Sequence, residues 1–199
     1  MRDIQRQRQE IFLEFIDSKQ PMRILDIGCQ SGDLCNELRL RGHDPCGIDV
    51  VPDLITIARK NYPQITFEVG DCENGLPFED KAFEMVWAGD VIEHIRFTDV
   101  FINEINRVLK PGGVFALTTP MHNRLKNIVI CLSNFENHFN PEFPHLRFYT
   151  LKSLKLALAR RGFRTVKIEY IGRIPHLAKS MFVASEKTED KSVLSHHRY

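Results

Sequence analysis

Short apolar runs alternate along this chain with stretches whose apolar positions recur every three or four residues. Residues 3–17 carry Ile4, Ile11, Phe12, Phe15 and Ile16 at helical spacing, with Arg and Glu between them, which predicts an amphipathic helix packed on the domain or over a cleft. Five-residue apolar runs at 23–27, 45–49, 65–69, 83–87 and 114–118 predict five strands. Helices are predicted between them at about 33–41, 53–61 and 98–109. Gly42 stops the first, Pro52 opens the second, and Pro111-Gly112-Gly113 ends the third. Regular alternation of strand and helix predicts an α/β domain with a mostly parallel sheet and helices on both faces.

The period is lost after Thr118. Residues 119–149 are rich in His, Asn, Pro and Phe, and a connection of that length points to a lid or binding insertion. Ile128-Val129-Ile130-Cys131-Leu132 predicts a short helix inside it. A helix resumes at Thr150, with Leu151, Leu154 and Leu158 on one face and Gly162 as its stop. Strand-like runs at 165–169 and 180–184 close the domain as a hairpin-like sheet edge. The expected organisation is one domain. It comprises an N-terminal helix (1–19), a ligand-binding core (20–118), a lid (119–149), a closing helix and two strands (150–186), and a loose polar tail (187–199).

Composition changes this picture little. Lys and Arg total 27 against 26 Asp and Glu, so net charge gives no pull toward nucleic acid or an anionic membrane. No apolar run approaches the roughly 18 residues needed to span a bilayer. Met1 to Arg6 lacks the apolar centre of a signal peptide. The five cysteines (29, 35, 46, 72, 131) are odd in number and lack CxxC spacing, which suits a reduced, cytoplasmic chain rather than a disulfide or zinc framework.

The densest chemistry lies in Arg23-Ile24-Leu25-Asp26-Ile27-Gly28-Cys29-Gln30-Ser31-Gly32-Asp33. A strand runs into a glycine-bracketed turn and then a helix, which brings backbone N–H groups and a helix N-terminus to a polar ligand. Asp49 ends the next strand 21 positions after Gly28, close to the offset of about 20 at which a carboxylate reaches a ribose diol. The glycine pattern is GxxxG, so the middle glycine of a dinucleotide fingerprint is missing. Further blocks follow: Asp71-Cys72 after the third strand, Gly89-Asp90-Val91-Ile92-Glu93-His94 after the fourth, and Leu109-Lys110-Pro111-Gly112-Gly113 before the fifth.

Together these blocks resemble the class I S-adenosylmethionine-dependent methyltransferases, over residues 20–120 motif by motif and beyond by element order. Glu93-His94-Ile95 is also similar to a block of ubiquinone-type O-methyltransferases. The resemblance implies a Rossmann-like seven-stranded sheet, mostly parallel with one antiparallel edge strand, and S-adenosylmethionine as cofactor. It also implies site residues. Asp26, Gly28, Cys29 and Gly32 would hold the methionine end, and Asp49 the ribose. Val50 would pack on adenine, Asp71 and the Cys72 backbone would read its edge, and Gly89 would lie by the reacting methyl. Gln30 departs from the usual GxGxG and narrows backbone access.

For an oxygen acceptor a base must remove a proton near pH 7, and histidine is the natural group. The lid supplies His122, His138 and His145, and Arg124 and Arg147 either pair a carboxylate or phosphate on the acceptor or tie the lid to acids. The expected function is methyl transfer to a small molecule, with oxygen as the acceptor, because hydroxyl chemistry fits a histidine base best. N- or C-methylation, an inactive cofactor-binding partner subunit and a nicotinamide oxidoreductase are the alternatives, the last without a Tyr-x-x-x-Lys pair. Glu93 and His94 are expected to bond neighbouring loops. No acidic trio sits at the strand ends for a divalent metal, and the oligomeric state is open.

Overall fold

The computed structural model describes residues 4–140, 142, 145–172 and 178–188. The expected loose tail lies outside these residues beyond Thr188. Seven strands form one sheet: β1 (Arg23–Ile27), β2 (Asp44–Asp49), β3 (Thr66–Val69), β4 (Phe83–Gly89), β5 (Leu109–Pro120), β6 (Phe163–Ile171) and β7 (Ser180–Lys187). Their spatial order is β3-β2-β1-β4-β5-β7-β6. The first five pair in parallel, while β7 runs against both β5 and β6. The antiparallel pairings therefore gather at one edge, with β7 as the reversed strand and β6 outside it.

The helices are α1 (Ile4–Ile16), α2 (Asp33–Leu40), α3 (Pro52–Asn61), α4 (Thr98–Val108), α5 (Arg124–Ser133), α6 (Phe135–His138) and α7 (Leu151–Ala159), with a 3-10 turn at Ile92–His94. Pro52 stands in the first turn of α3, where its missing N–H costs nothing. Strand alternation divides the core. Val86 and Ala88 face the cluster that holds Phe101 and Phe115, while Met85 and Trp87 face the one covered by α1. Phe12 stacks on Trp87 with ring centroids 4.1 Å apart, so the C-terminal half of α1 is anchored in the core.

One boundary differs from the expectation. The helix α4 does end at Val108, but strand pairing begins at once, with Leu109 opposite Phe83 and the next register pair at Val114 and Met85. Pro111-Gly112-Gly113 is thus a bulge inside β5, not the spacer before a strand starting at 114. Proline cannot donate to a ladder, so the chain loops it out and resumes pairing beyond it.

The strand order reverses between β1 and β4. Their carboxyl ends open a crevice, the position at which open α/β sheets take ligands.

Candidate functional site

The turn after β1 is shaped by two backbone requirements. Gly28 has φ +79°, and a Cβ there would stand 3.0 Å from Val91 Cγ2. Gly32 has φ +83° and begins α2. Between them the N–H groups of Gly28 and Cys29 donate to the Ile48 carbonyl, at 2.8 and 3.2 Å. Gln30 takes φ +50° and its N–H donates to Asp49 Oδ2 at 2.9 Å. Asp49 Oδ1 accepts from Val51 N at 3.0 Å. The Asp49 carboxylate therefore ties the β1 turn to the β2 turn.

Asp26 is buried under this turn and accepts from Cys35 Sγ at 3.5 Å; burial pushes its carboxyl up to about 7. Burial also raises the Cys29 and Cys72 thiols, the latter to about 12, so both remain protonated at neutral pH. Asp71 accepts from Glu73 N and Asn74 Nδ2, each at 2.9 Å. Gly89 ends β4, where a Cβ would press on the Trp87 ring at 2.9 Å.

Two adjoining depressions share Gly28 and Asp90. One, of about 340 Å³, is lined by Asp49, Val50, Asp71, Cys72 and His94. The other, of about 510 Å³, is lined by Asp26, Cys29, Gly89 and, from α1, Ile4, Gln5 and Arg8. Gly32 belongs to neither lining; it packs inward against Phe67 and Ala58.

Arg8 was not among the residues expected from the sequence. Its guanidinium pairs with Asp90 and donates to Ser180 Oγ, at 2.5 Å from Nη2 and 3.1 Å from Nε. Ile4, Arg8 and Phe12 succeed one another every four residues, so an arginine standing on the apolar stripe of α1 was the available signal.

The three lid histidines meet. A third cavity, of about 230 Å³, is lined by Pro120, His122, Lys126, His138, His145 and Phe148. His122 is buried, its Nδ1 lies 3.1 Å from Asn127 Oδ1, and burial lowers its pKa to about 4. Burial lowers His138 and His145 as well. The His145 ring lies 4.9 Å from that of His94, which connects this cavity to the β3 side of the crevice.

Glu93 sits at that junction. It is 1 % exposed, its Oε2 accepts from Thr119 Oγ1 at 2.9 Å, and its Oε1 has no partner among the described residues. Its carbonyl accepts from Leu146 and Arg147, at 2.9 and 3.0 Å, so it does hold the returning lid as expected. One ligand-type atom each from Glu93, His94 and His145 falls within 4.8 Å of the others. The sequence offered no acidic trio, and this mixed group arises only because the lid returns His145 to the β4 turn. A carboxylate beside two imidazoles at this range can share and relay a proton.

Burial drives the Glu93 carboxyl up to about 7, with Asp90 repulsion adding to it. The folded value lies above the unfolded one, so folding favours the protonated acid. That stability is full below the unfolded pKa of about 4.5 and is lost as pH rises through about 7. Glu93→Gln keeps an acceptor for Thr119 and removes the charge. It should match the parent at pH 5 and exceed it at pH 8 by about 1–3 kcal/mol, the range for an unsatisfied buried polar group. Thermal melts of both proteins at the two pH values test this, and His122, common to both, cancels. Equal melting temperatures at pH 8 would contradict the assignment.

Comparisons with known proteins identify the family and the fold. A family described as "Methyltransferase domain" matches residues 2–168. A demethylmenaquinone methyltransferase of Chlorobaculum parvum is 35% identical over 107 residues, covering 53% of this chain and 44% of that protein. A malonyl-[acyl-carrier protein] O-methyltransferase of Erwinia pyrifoliae is 30% identical over 126 residues, covering 63% and 48%. The chain thus spans less than half the length of these curated relatives. Among solved structures, a putative methyltransferase of Bacillus halodurans superposes with a TM-score of 0.76 at 16% identity, covering 90% of this chain and 98% of that one.

Proposed function

The chain belongs to the methyltransferase-domain family, and on that premise we propose that it binds S-adenosylmethionine in the crevice between β1 and β4 and methylates a small molecule at oxygen. The observation that carries the reading is the charge layout of the crevice. Asp49 stands on one side, and the Arg8–Asp90 pair with buried Asp26 on the other, with the glycine turn between. A nucleoside joined to a zwitterionic amino-acid tail matches that layout. A diphosphate does not, because acids border both depressions.

In this reading Asp49 accepts from the ribose hydroxyls in charge-assisted bonds. Val50, 64% exposed at the crevice, offers apolar contact to the base, and Asp71 with the Cys72 N–H reads its edge. Arg8 takes the tail carboxylate and Asp90 and Asp26 its ammonium, with Gly28, Cys29 and Gly32 shaping the turn. Gly89 keeps the end of β4 free of a side chain beside the transfer point. Bound S-adenosylmethionine supplies an already activated methyl group, which leaves the protein positioning and proton removal. Holding two reactants in line is worth roughly 7–11 kcal/mol.

The proton acceptor we favour among the three lid histidines is His145. It stands beside Glu93 and His94 and borders the lid cavity. His122, with a pKa of about 4 and one nitrogen on Asn127, is the poorer base. His138 lies farther out, beside His122 and Phe139.

Incubation with isotope-labelled S-adenosylmethionine and a panel of phenols, carboxylic acids and amines tests the activity. Transfer to a phenol is expected, because a carboxylic acid is already ionised at pH 7 and would need no base. His145→Ala should lower turnover by about 10²–10⁴-fold, the usual contribution of a general base, with cofactor affinity unchanged. Full turnover in that variant rules His145 out. Label found only on amines rules out the oxygen acceptor.

A further inference from the structure

Glu93 is a buried acid whose hydrogen bonding is half complete. Its side chain is 1 % exposed, Thr119 Oγ1 donates to Oε2 at 2.9 Å, and Oε1 has no partner among the described residues. A buried polar atom in this state marks an ion or a catalytic role. Two imidazoles stand beside it. One donor atom each of Glu93, His94 and His145 falls within 4.8 Å of the other two. His94 follows Glu93 in the 3-10 turn after β4. His145 comes from the lid, and the main chain fixes it there, because the Glu93 carbonyl accepts from the N–H groups of Leu146 and Arg147 at 2.9 and 3.0 Å. The two rings meet edge to face, with centroids 4.9 Å apart.

The geometry points to a site for one divalent transition-metal ion, zinc by its donor set, held by Glu93, His94 and His145. Two imidazoles and one carboxylate are a donor set of open, catalytic zinc sites. Magnesium and calcium fit less well, because they ask for several oxygens and a single carboxylate is offered here. Donors around a tetrahedral zinc stand about 3.4 Å apart, since each lies about 2.0–2.1 Å from the ion. The cluster is wider than a loaded site by at most about 1.4 Å (4.8 − 3.4), a distance that rotation of the imidazoles covers. Each ring keeps a second nitrogen for its protein neighbours, and Thr119 orients the carboxylate, which is the usual support of metal ligands.

Three protein ligands leave a fourth position open. His94 lines the depression that holds Asp49 and Asp71, and His145 lines the lid cavity with His122 and His138, so the ion sits where the two adjoin. Its role there, unlike the site itself, rests on the methyl-transfer reading. The ion takes the hydroxyl oxygen of the acceptor at its open position and lowers the pKa of that hydroxyl. Without the ion His145 accepts the proton. With the ion in place the imidazole is a ligand, and the proton passes to water.

Cobalt(II) and zinc binding to the whole chain test the site. Neither cofactor nor acceptor is present, so the result is independent of the methyl-transfer assay. Protein stripped with EDTA, the state in which Glu93 titrates as above, should take up a single equivalent of cobalt. The intense visible d–d absorption of a four- or five-coordinate ion should appear, and zinc should displace it. His94→Ala and His145→Ala should each weaken zinc binding by about 100-fold or more, beyond the 10–100-fold typical of losing an outer partner. Melts of the stripped variants check that they fold. Absence of the cobalt absorption with the metal in excess overturns the proposal. So does binding that persists in both histidine variants and disappears with His196→Ala and His197→Ala, which places the ion on the terminal histidine pair. Methyl transfer that EDTA leaves unchanged, in protein that binds zinc, overturns the role at the acceptor and leaves His145 as the base.

Discussion

Asp49→Ala is expected to weaken S-adenosylmethionine binding by two to three orders of magnitude. Two effects combine at this residue. The carboxylate is the one acid at the end of β2 that faces the crevice, and each hydrogen bond to a charged group is worth about 1.5–3 kcal/mol. Loss of the bonds proposed to two ribose hydroxyls, each taken near the lower end of that range, costs roughly 3–4 kcal/mol, or about 10²–10³-fold. The same carboxylate also holds the N–H groups of Gln30 and Val51. Without it Gln30 loses the bond that keeps a non-glycine residue at φ +50°. The glycine turn then relaxes, which sets the affinity loss at the upper end of that range, and stability falls by about 1–3 kcal/mol. Titration calorimetry on parent and variant measures the first quantity and a denaturant melt the second. A variant that binds as tightly as the parent removes Asp49 from the site.

Gly32→Ala is expected to be the most destabilising single methyl in the core region of the turn. A Cβ at this position would lie 2.6 Å from Phe67 Cζ and 3.1 Å from the Ala58 Cβ. Phe67 and Ala58 are themselves buried, on β3 and α3, so neither can withdraw into solvent. The backbone adds its own cost, because φ +83° places an L side chain in the left-handed region. Overpacking costs about 1–3 kcal/mol and the conformation about 1–2 kcal/mol. The sum, roughly 2–5 kcal/mol, corresponds to a fall in melting temperature of about 5–15 °C for a chain of this size. Calorimetric melting tests it. A fall under two degrees would mean that β3 and α3 yield more than their packing suggests. The consequence reaches function as well, since Phe67 joins the small core beneath the turn to which Cys29 and Cys35 belong.

The elements most legible in the sequence were those fixed by local signals. The run Arg23–Ile27 is β1 to the residue, and Pro52 opens α3 where a proline at the first turn belongs. The apolar run at 128–132 lies within a helix, α5, as its spacing suggested. The β5 bulge was less legible. Pro111-Gly112-Gly113 signals a break equally well whether the chain leaves a helix or loops out of a strand, and only the pairing of Leu109 with Phe83 distinguishes the two. Arg8 was not legible either, because a single charged residue on an apolar stripe has no assignable role until the fold sets Asp90 and Ser180 against it.

Strand periodicity, the glycine turn and Asp49 were sufficient to predict an α/β chain with a crevice bordered by that turn and that acid. These features are local: they depend on side-chain alternation and on backbone freedom within a few residues. Tertiary structure alone decided the rest. It set β7 between β5 and β6, brought His145 to Glu93 across 52 positions of chain, closed α1 over the crevice through Arg8, and turned the aliphatic stripe of α5 outward. Each depends on a contact between distant segments. An apolar stripe specifies that a face avoids water, but whether the domain covers it depends on which face has the hydrogen bonds, and for α5 those belong to Lys126 and Asn127.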